Sequence, residues 1–262
     1  MLVRPARFVL WRATGRSTNP AAELHTTPST APSGRGLELR RCVGFWTTMG
    51  RPMKRATTNT MATPDRRSIL IDAYENAAVI VSGISPDQLR NSTPCNGYDV
   101  AGLIDHVVEA GHRAAALGRG QAPPSGDASP HVELTEAPDR LRSAAQEAAA
   151  AWADDTRLVT TATMPWGEQY TGAALIDMYL LELAAHAWDL ARATGQLDRL
   201  ASTLAAPALS GAYAFIKQEF RDMVGPGAPF GAEVPPPPGA NDWERFVAFT
   251  GRDPRARVTP SS

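Results

Sequence analysis

Cysteine is almost missing from this chain. Only Cys42 and Cys95 occur among 262 residues, and they stand far apart in segments of different character. A disulfide framework is therefore not expected, and the pattern fits a reducing compartment, with the cytoplasm as the expected location. No C-x-x-C pair or Cys-His cluster is present, which excludes the thiolate zinc-finger class. Long apolar runs are missing too: nothing approaches the roughly 18 to 20 unbroken apolar residues a membrane-spanning helix needs, so neither an integral membrane protein nor a membrane partner is expected. Excess charge is also lacking, at a formal −1. What is there is 43% hydrophobic residues, enough in a chain of this length for one sizeable core.

The near-neutral average conceals an uneven spread. The first sixty residues carry Arg4, Arg7, Arg12, Arg16, Arg35, Arg40, Arg41, Arg51, Lys54 and Arg55 against only Glu23 and Glu38, so the remainder is correspondingly acidic. This leader is rich in Thr, Ser, Pro and Gly and lacks sustained periodicity, so residues 1–62 are expected to be disordered and are assigned no chemistry. An over-extended reading frame with Met61 as the natural start is the preferred reading, and a transit peptide is the alternative. Nucleic-acid binding through the basic leader is the weakest option, and no nucleic-acid partner is expected.

Downstream the pattern is helical. A first helix is expected over Arg66–Gly83, and a second over Asp99–Leu117 after a Pro- and Asn-Gly-containing loop. A third is expected over Ala137–Ala153, beyond a Pro, Gly and Ser stretch, with Thr135 or Glu136 near its cap. The Val/Thr-rich run Arg157–Met164 reads as a strand, and a turn at Pro165-Trp166-Gly167 makes it a short hairpin. A fourth, long helix follows from Thr171, which can cap it, to Gly195, which can close it. A fifth is expected over Leu197–Met223, bent at Pro207. A PPPP run then precedes a last short helix with a capping box at Asn241 and Glu244, closed by Gly251. The expected architecture is all-α: a helical bundle of four main helices, a small β excursion before the fourth, and a short C-terminal helix.

The fourth helix carries the chemistry. Glu182 and His186 stand four positions apart in an apolar segment, roughly 40° apart around the helix, and Asp189 falls roughly 20° to the other side of Glu182. Three oxygen- or nitrogen-bearing groups thus share one stripe. On the second helix His106 sits among Leu103, Val107 and Ala110 and should face inward, with Glu109 and Arg113 on the same side. Taken alone, these residues leave two readings open. His106 could be a hydrogen-bonded core imidazole and the Glu182–His186 pair a surface hydrogen bond, or all three could meet at a metal ion. Cys95 reads as a small buried loop residue rather than a site thiol, His112 as exposed, His25 and His131 as weak ligand candidates, and Arg192 as a structural ion-pair former.

The segments TPCNGYDVAGLIDHVVEAGHR and EQYTGAALIDMYLLELAAHAWDLARATGQ resemble the mycothiol-dependent maleylpyruvate isomerase metal-binding domain, within the DinB-like four-helix-bundle superfamily. The likeness runs from about Met61 to Pro254. It implies a DinB-like bundle over residues 63–254, with a flexible tail over 255–262, and a divalent cation, usually zinc, held by His106, Glu182 and His186. Two imidazoles and one carboxylate suit Zn²⁺ or a neighbouring transition metal better than Mg²⁺ or Ca²⁺ and leave a coordination position open. Asp189, Glu109 and Trp188 are candidates for orienting the ligands and walling the site.

The full isomerase has a further carboxy-terminal domain contributing to its active site. Here only a proline-rich tail and WERFVAFTGRDP follow the bundle, so the chain is similar to the shorter, stand-alone members. The resemblance implies a metal-dependent thiol S-transferase or isomerase, with mycothiol as thiol cosubstrate and a small electrophile as the other partner. The alternative is a non-catalytic metal- or ligand-binding module in stress response. A homodimer is a candidate assembly.

Overall fold

The structure is a computed structural model and describes residues 65–122, 129–164, 168–216, 221 and 230–256. The leader, the expected hairpin turn and the last six residues lie outside the described residues.

Four helices build the bundle: α1 (Arg67–Ser82), α2 (Val100–Gly118), α3 (Ala137–Ala151) and α5 (Gly172–Thr194). Helices α3 and α5 each pack on both α1 and α2, so they occupy opposite corners of the bundle. On α1 the buried stripe is Leu70, Ala73, Tyr74, Ala77, Ala78, Ile80 and Val81, a helical spacing, while Ile69 and Ile71 are only partly buried. Small residues allow close approach where α1, α2 and α3 meet. A Cβ on Gly111 would lie 2.7 Å from the Tyr74 ring and 3.3 Å from Ala144, and the Tyr74 hydroxyl donates to the Gly111 carbonyl at 2.7 Å.

Two caps place α5. Thr171 accepts from the Ala174 N–H at 3.3 Å, and Gly195, at φ +75, turns the chain out of the helix where a β-carbon would be strained. Helix α6 (Ser202–Phe215) packs on α5, and α7 (Asp242–Phe249) packs on α6. These layers cover the side of α5 that the bundle leaves open, which is why α5 reads as apolar almost all round.

Two sequence expectations need correction. The run expected as a strand over Arg157–Met164 is divided: Thr156–Val159 forms a helical turn, α4, and only β1 (Thr161–Thr163) pairs, antiparallel, with β2 (Gln169–Thr171). The Asp154 carboxylate accepts from the Thr156 N–H at 2.9 Å and starts that turn, overriding the β preference of Val159. The fifth helix does not begin at Leu197. Leu197–Arg199 is a 3₁₀ turn, and α6 starts at Ser202 and takes Pro207 inside it. The Asn76 side chain draws the break inward, donating to the Arg199 carbonyl and accepting from the Ala201 N–H. The capping box at Asn241 and Glu244 is present as expected. Among the described residues no helix is long and apolar enough to cross a membrane.

Candidate metal centre

Helix α2 starts at Asp99, whose carboxylate accepts from the Gly102 N–H at 2.9 Å. Two turns on, His106 faces α5. Its Nε2 lies 2.7 Å from Oε1 of Glu182, and the same oxygen lies 3.4 Å from Nε2 of His186. One ligand atom from each of the three falls within 4.8 Å of the others, so His106, Glu182 and His186 could hold one metal ion. The two imidazoles meet edge to face at 87°, with ring centres 5.1 Å apart, and the Tyr98 ring packs on His106 with centres 5.3 Å apart at a 34° tilt. The site is largely buried: side-chain exposure is 12% for His106, 9% for Glu182 and 2% for His186.

The donor spacing suits a small cation. Ligands about 2.0–2.1 Å from a tetrahedral Zn²⁺ sit roughly 3.3–3.4 Å from one another. The Glu182–His186 separation already has that value, whereas the 2.7 Å contact with His106 is a hydrogen bond that has to open by a little over half an ångström. Charge points the same way. With both imidazoles neutral, the carboxylates of Glu182 and Asp189 face a single guanidinium, Arg252, which leaves one buried negative charge to balance.

Without an ion, protons do that balancing. Burial opposes charge on Glu182, but the facing imidazoles outweigh it and hold the carboxyl well below its usual range. Burial likewise opposes charge on His186, yet Glu182 and the Asp189 hydrogen bond push it up to about 9. Asp189 is desolvated as well and is nonetheless held low, first by Arg252 and then by His186.

Asp189 is joined to the site directly. Its Oδ2 accepts from His186 Nδ1 at 3.0 Å, while Arg252 donates to both of its oxygens at 2.8 Å. Glu109 instead accepts from Arg113 at 3.0 Å and is not among the converging groups. Trp188 is buried in the core, but two positions after His186 it lies roughly 200° around the helix and packs the opposite face. The other described histidines lie elsewhere: His112 is half-buried near Glu147, and His131 stands beside Asp105, while His25 lies outside the described residues. Arg192 makes a hydrogen bond to the Ala256 carbonyl, and among the described residues no carboxylate forms the expected ion pair with it.

Two features escaped the sequence reading. Cys95 is buried as expected, yet its sulfur comes within 4.8 Å of ligand atoms on His186 and Asp189. A turn brings it there: Thr93 donates to the Cys95 and Tyr98 carbonyls, and Gly97 takes φ +96. Burial pushes its thiol pKa well up. A cation held by Cys95, His186 and Asp189 would have to displace Arg252 from Asp189, so the His106 cluster is the better site. Arg252 itself was the second feature. The one available signal was a glycine at position 251 closing the helix before it.

The fold defines a class, the helical bundles, and two histidines and a glutamate bridging two of its helices could hold a metal ion in the core, as some members of that class do. The particular family is recognisable too. Residues 71–191 match the family described as the mycothiol maleylpyruvate isomerase N-terminal domain, and this chain belongs to it. Two proteins of Mycobacterium tuberculosis, one from strain CDC 1551 / Oshkosh and one from strain ATCC 25618 / H37Rv, both named as uncharacterized, are 34% identical to it over 187 residues; the alignment covers 70% of this chain and 95% of each relative.

Proposed function

We propose that His106, Glu182 and His186 bind one divalent cation, with Zn²⁺ the best match to two nitrogens and one oxygen, and that the protein is a metal-dependent thiol S-transferase or isomerase acting on a small electrophile. The observation that carries this reading is the meeting of three donors from α2 and α5 on one point, in a family named for a mycothiol-dependent isomerase. When bound, the cation would supply a Lewis acid that holds a thiol such as mycothiol as its thiolate. The protein's own groups do the rest. Glu182 offsets the cation's charge, Asp189 keeps the proton of His186 on Nδ1 so that the Nε2 lone pair is free for the cation, and the Tyr98 ring packs against His106. The free Cys95 thiol is in keeping with the reducing cytoplasm.

The test is consumption of a low-molecular-weight thiol with a panel of electrophiles, comparing wild type with His106→Ala and Glu182→Ala after loading with zinc. Turnover should fall at least about 100-fold in both variants. Equal turnover in all three proteins contradicts the reading. The near-complete burial of Glu182 and His186 favours a second reading, a non-catalytic metal- or ligand-binding module. Stoichiometric metal with no turnover of any electrophile would select it.

A further inference from the structure

The segment that follows α7 lies beyond the family-matched residues 71–191, and it delivers a buried guanidinium to the back of the candidate metal centre. The delivery is built from the backbone up. Helix α7 is started by the Asn241–Glu244 capping box and ended by paired reverse hydrogen bonds, Gly251 N–H to the Ala248 carbonyl at 3.0 Å and Arg252 N–H to the Val247 carbonyl at 2.9 Å. That is the Schellman arrangement, and it needs the first of its two donor residues to be left-handed. Gly251 is that residue, at φ +89, and a Cβ there would come within 2.5 Å of the Gly231 backbone. The chain therefore reverses at Gly251, and the Arg252 side chain returns to α5.

There its forked end is fully used on one side. Nε and Nη2 donate to the two oxygens of Asp189 at 2.8 Å each, and Nη1 donates to the Thr250 hydroxyl at 3.2 Å. The Thr250 hydroxyl in turn donates to the Val247 carbonyl at 2.8 Å, so the guanidinium is also tied, by a weaker bond, to the end of α7. Asp189 has no exposed surface, and a carboxylate gripped by a fork cannot rotate about its own axis without breaking one tooth. The third bond to Asp189 comes from His186 Nδ1.

The geometry points to Arg252 as a positioning residue of the metal centre: by fixing the plane of Asp189 it sets the ring of His186, and so the direction in which Nε2 faces Glu182 and the cation. This rests on the metal reading above. It makes the C-terminal segment, and not the matched domain alone, part of the site. A lysine cannot replace it, because a single ammonium contacts one oxygen at a time and leaves the carboxylate free to turn.

The test uses full-length protein stripped of metal and titrated with Co²⁺, whose visible absorption bands report ligand geometry. Wild type, Arg252→Lys and Asp189→Asn are compared, with circular dichroism and thermal melting of each apo protein run in parallel. The expected result is one equivalent bound by wild type, and a loss of about 10- to 100-fold in affinity with displaced absorption bands in both variants. In the double variant the second substitution should add almost nothing to the first, because both act through His186. If either single variant does not fold, the other is read against wild type. Arg252→Lys with wild-type affinity and an unchanged spectrum, whatever its melting temperature, makes Arg252 a structural brace and overturns the inference while leaving the metal reading intact. No Co²⁺ binding by wild type overturns the metal reading itself.

Discussion

His106 and Glu182 stand 76 positions apart in the chain and 2.7 Å apart in the fold. Their contact joins α2 to α5, and a cation at the site has to replace it with two bonds of its own. Glu182→Gln keeps the size and a hydrogen bond to His106 but removes the charge that offsets a dication. Its affinity for Zn²⁺, measured by competition with a chromophoric chelator, should fall by more than about 100-fold, beyond the usual effect of losing an outer partner. A change under threefold would mean that Glu182 is not a ligand.

Metal binding should be strongly pH-dependent. In the metal-free protein His186 keeps its extra proton up to about pH 9, so a cation must expel it. The apparent affinity should rise about tenfold per pH unit up to about pH 9 and then level off. Calorimetry in buffers of different ionisation enthalpy checks this through the proton released per metal bound. Because the folded pKa of His186 is raised, the metal-free protein holds this contribution to stability in full below the ordinary histidine range and loses it as pH rises through about 9. The metal-loaded protein, in which His186 has given up that proton, should show no such decline.

Cys95 separates the two clusters that could hold an ion. Since Arg252 already occupies Asp189, Cys95→Ala should leave metal stoichiometry and affinity within about threefold of wild type, well short of the loss expected for an outer partner. The native thiol, buried and with its pKa pushed up, should react with a disulfide reagent only on unfolding. Loss of metal in Cys95→Ala would place the sulfur in the coordination sphere instead, and fast labelling of the folded Cys42→Ala protein would contradict the burial of Cys95.

The parts legible in the sequence are those set by short-range spacing. Glu182, His186 and Asp189 share a stripe because 3.6 residues make a turn, and Thr171, Gly195 and the Asn241–Glu244 pair marked helix ends by their cap chemistry. The bundle's main helices could be read the same way. What local spacing could not carry was pairing across the chain. Arg252 reaches Asp189 only because α6 and α7 lead the chain back over α5, and Cys95 approaches His186 only through the fold of its turn. Glu109 shows the converse: it lies on the same side of α2 as His106, but Arg113, one turn on, claims its carboxylate. At Asp154 a local side-chain turn outweighed strand propensity, a contest that composition does not decide.

The interior at Gly111 gives a prediction about the bundle rather than the site. Gly111→Ala gains helix propensity of about 0.5–1 kcal/mol but drives a methyl into the Tyr74 ring, which cannot back away without losing its hydrogen bond to the Gly111 carbonyl. Overpacking of this kind costs about 1–3 kcal/mol, so the variant should be net destabilised by chemical denaturation. Unchanged or higher stability would show that the α1–α2–α3 contact is looser than described.

The most direct measurement is metal content. Protein prepared without a histidine tag, loaded with Zn²⁺ and dialysed, should retain close to one equivalent by elemental analysis, and His186→Ala should retain almost none while keeping its helical circular dichroism. Equal zinc in the two proteins, or none in either, would contradict a cation held by His106, Glu182 and His186.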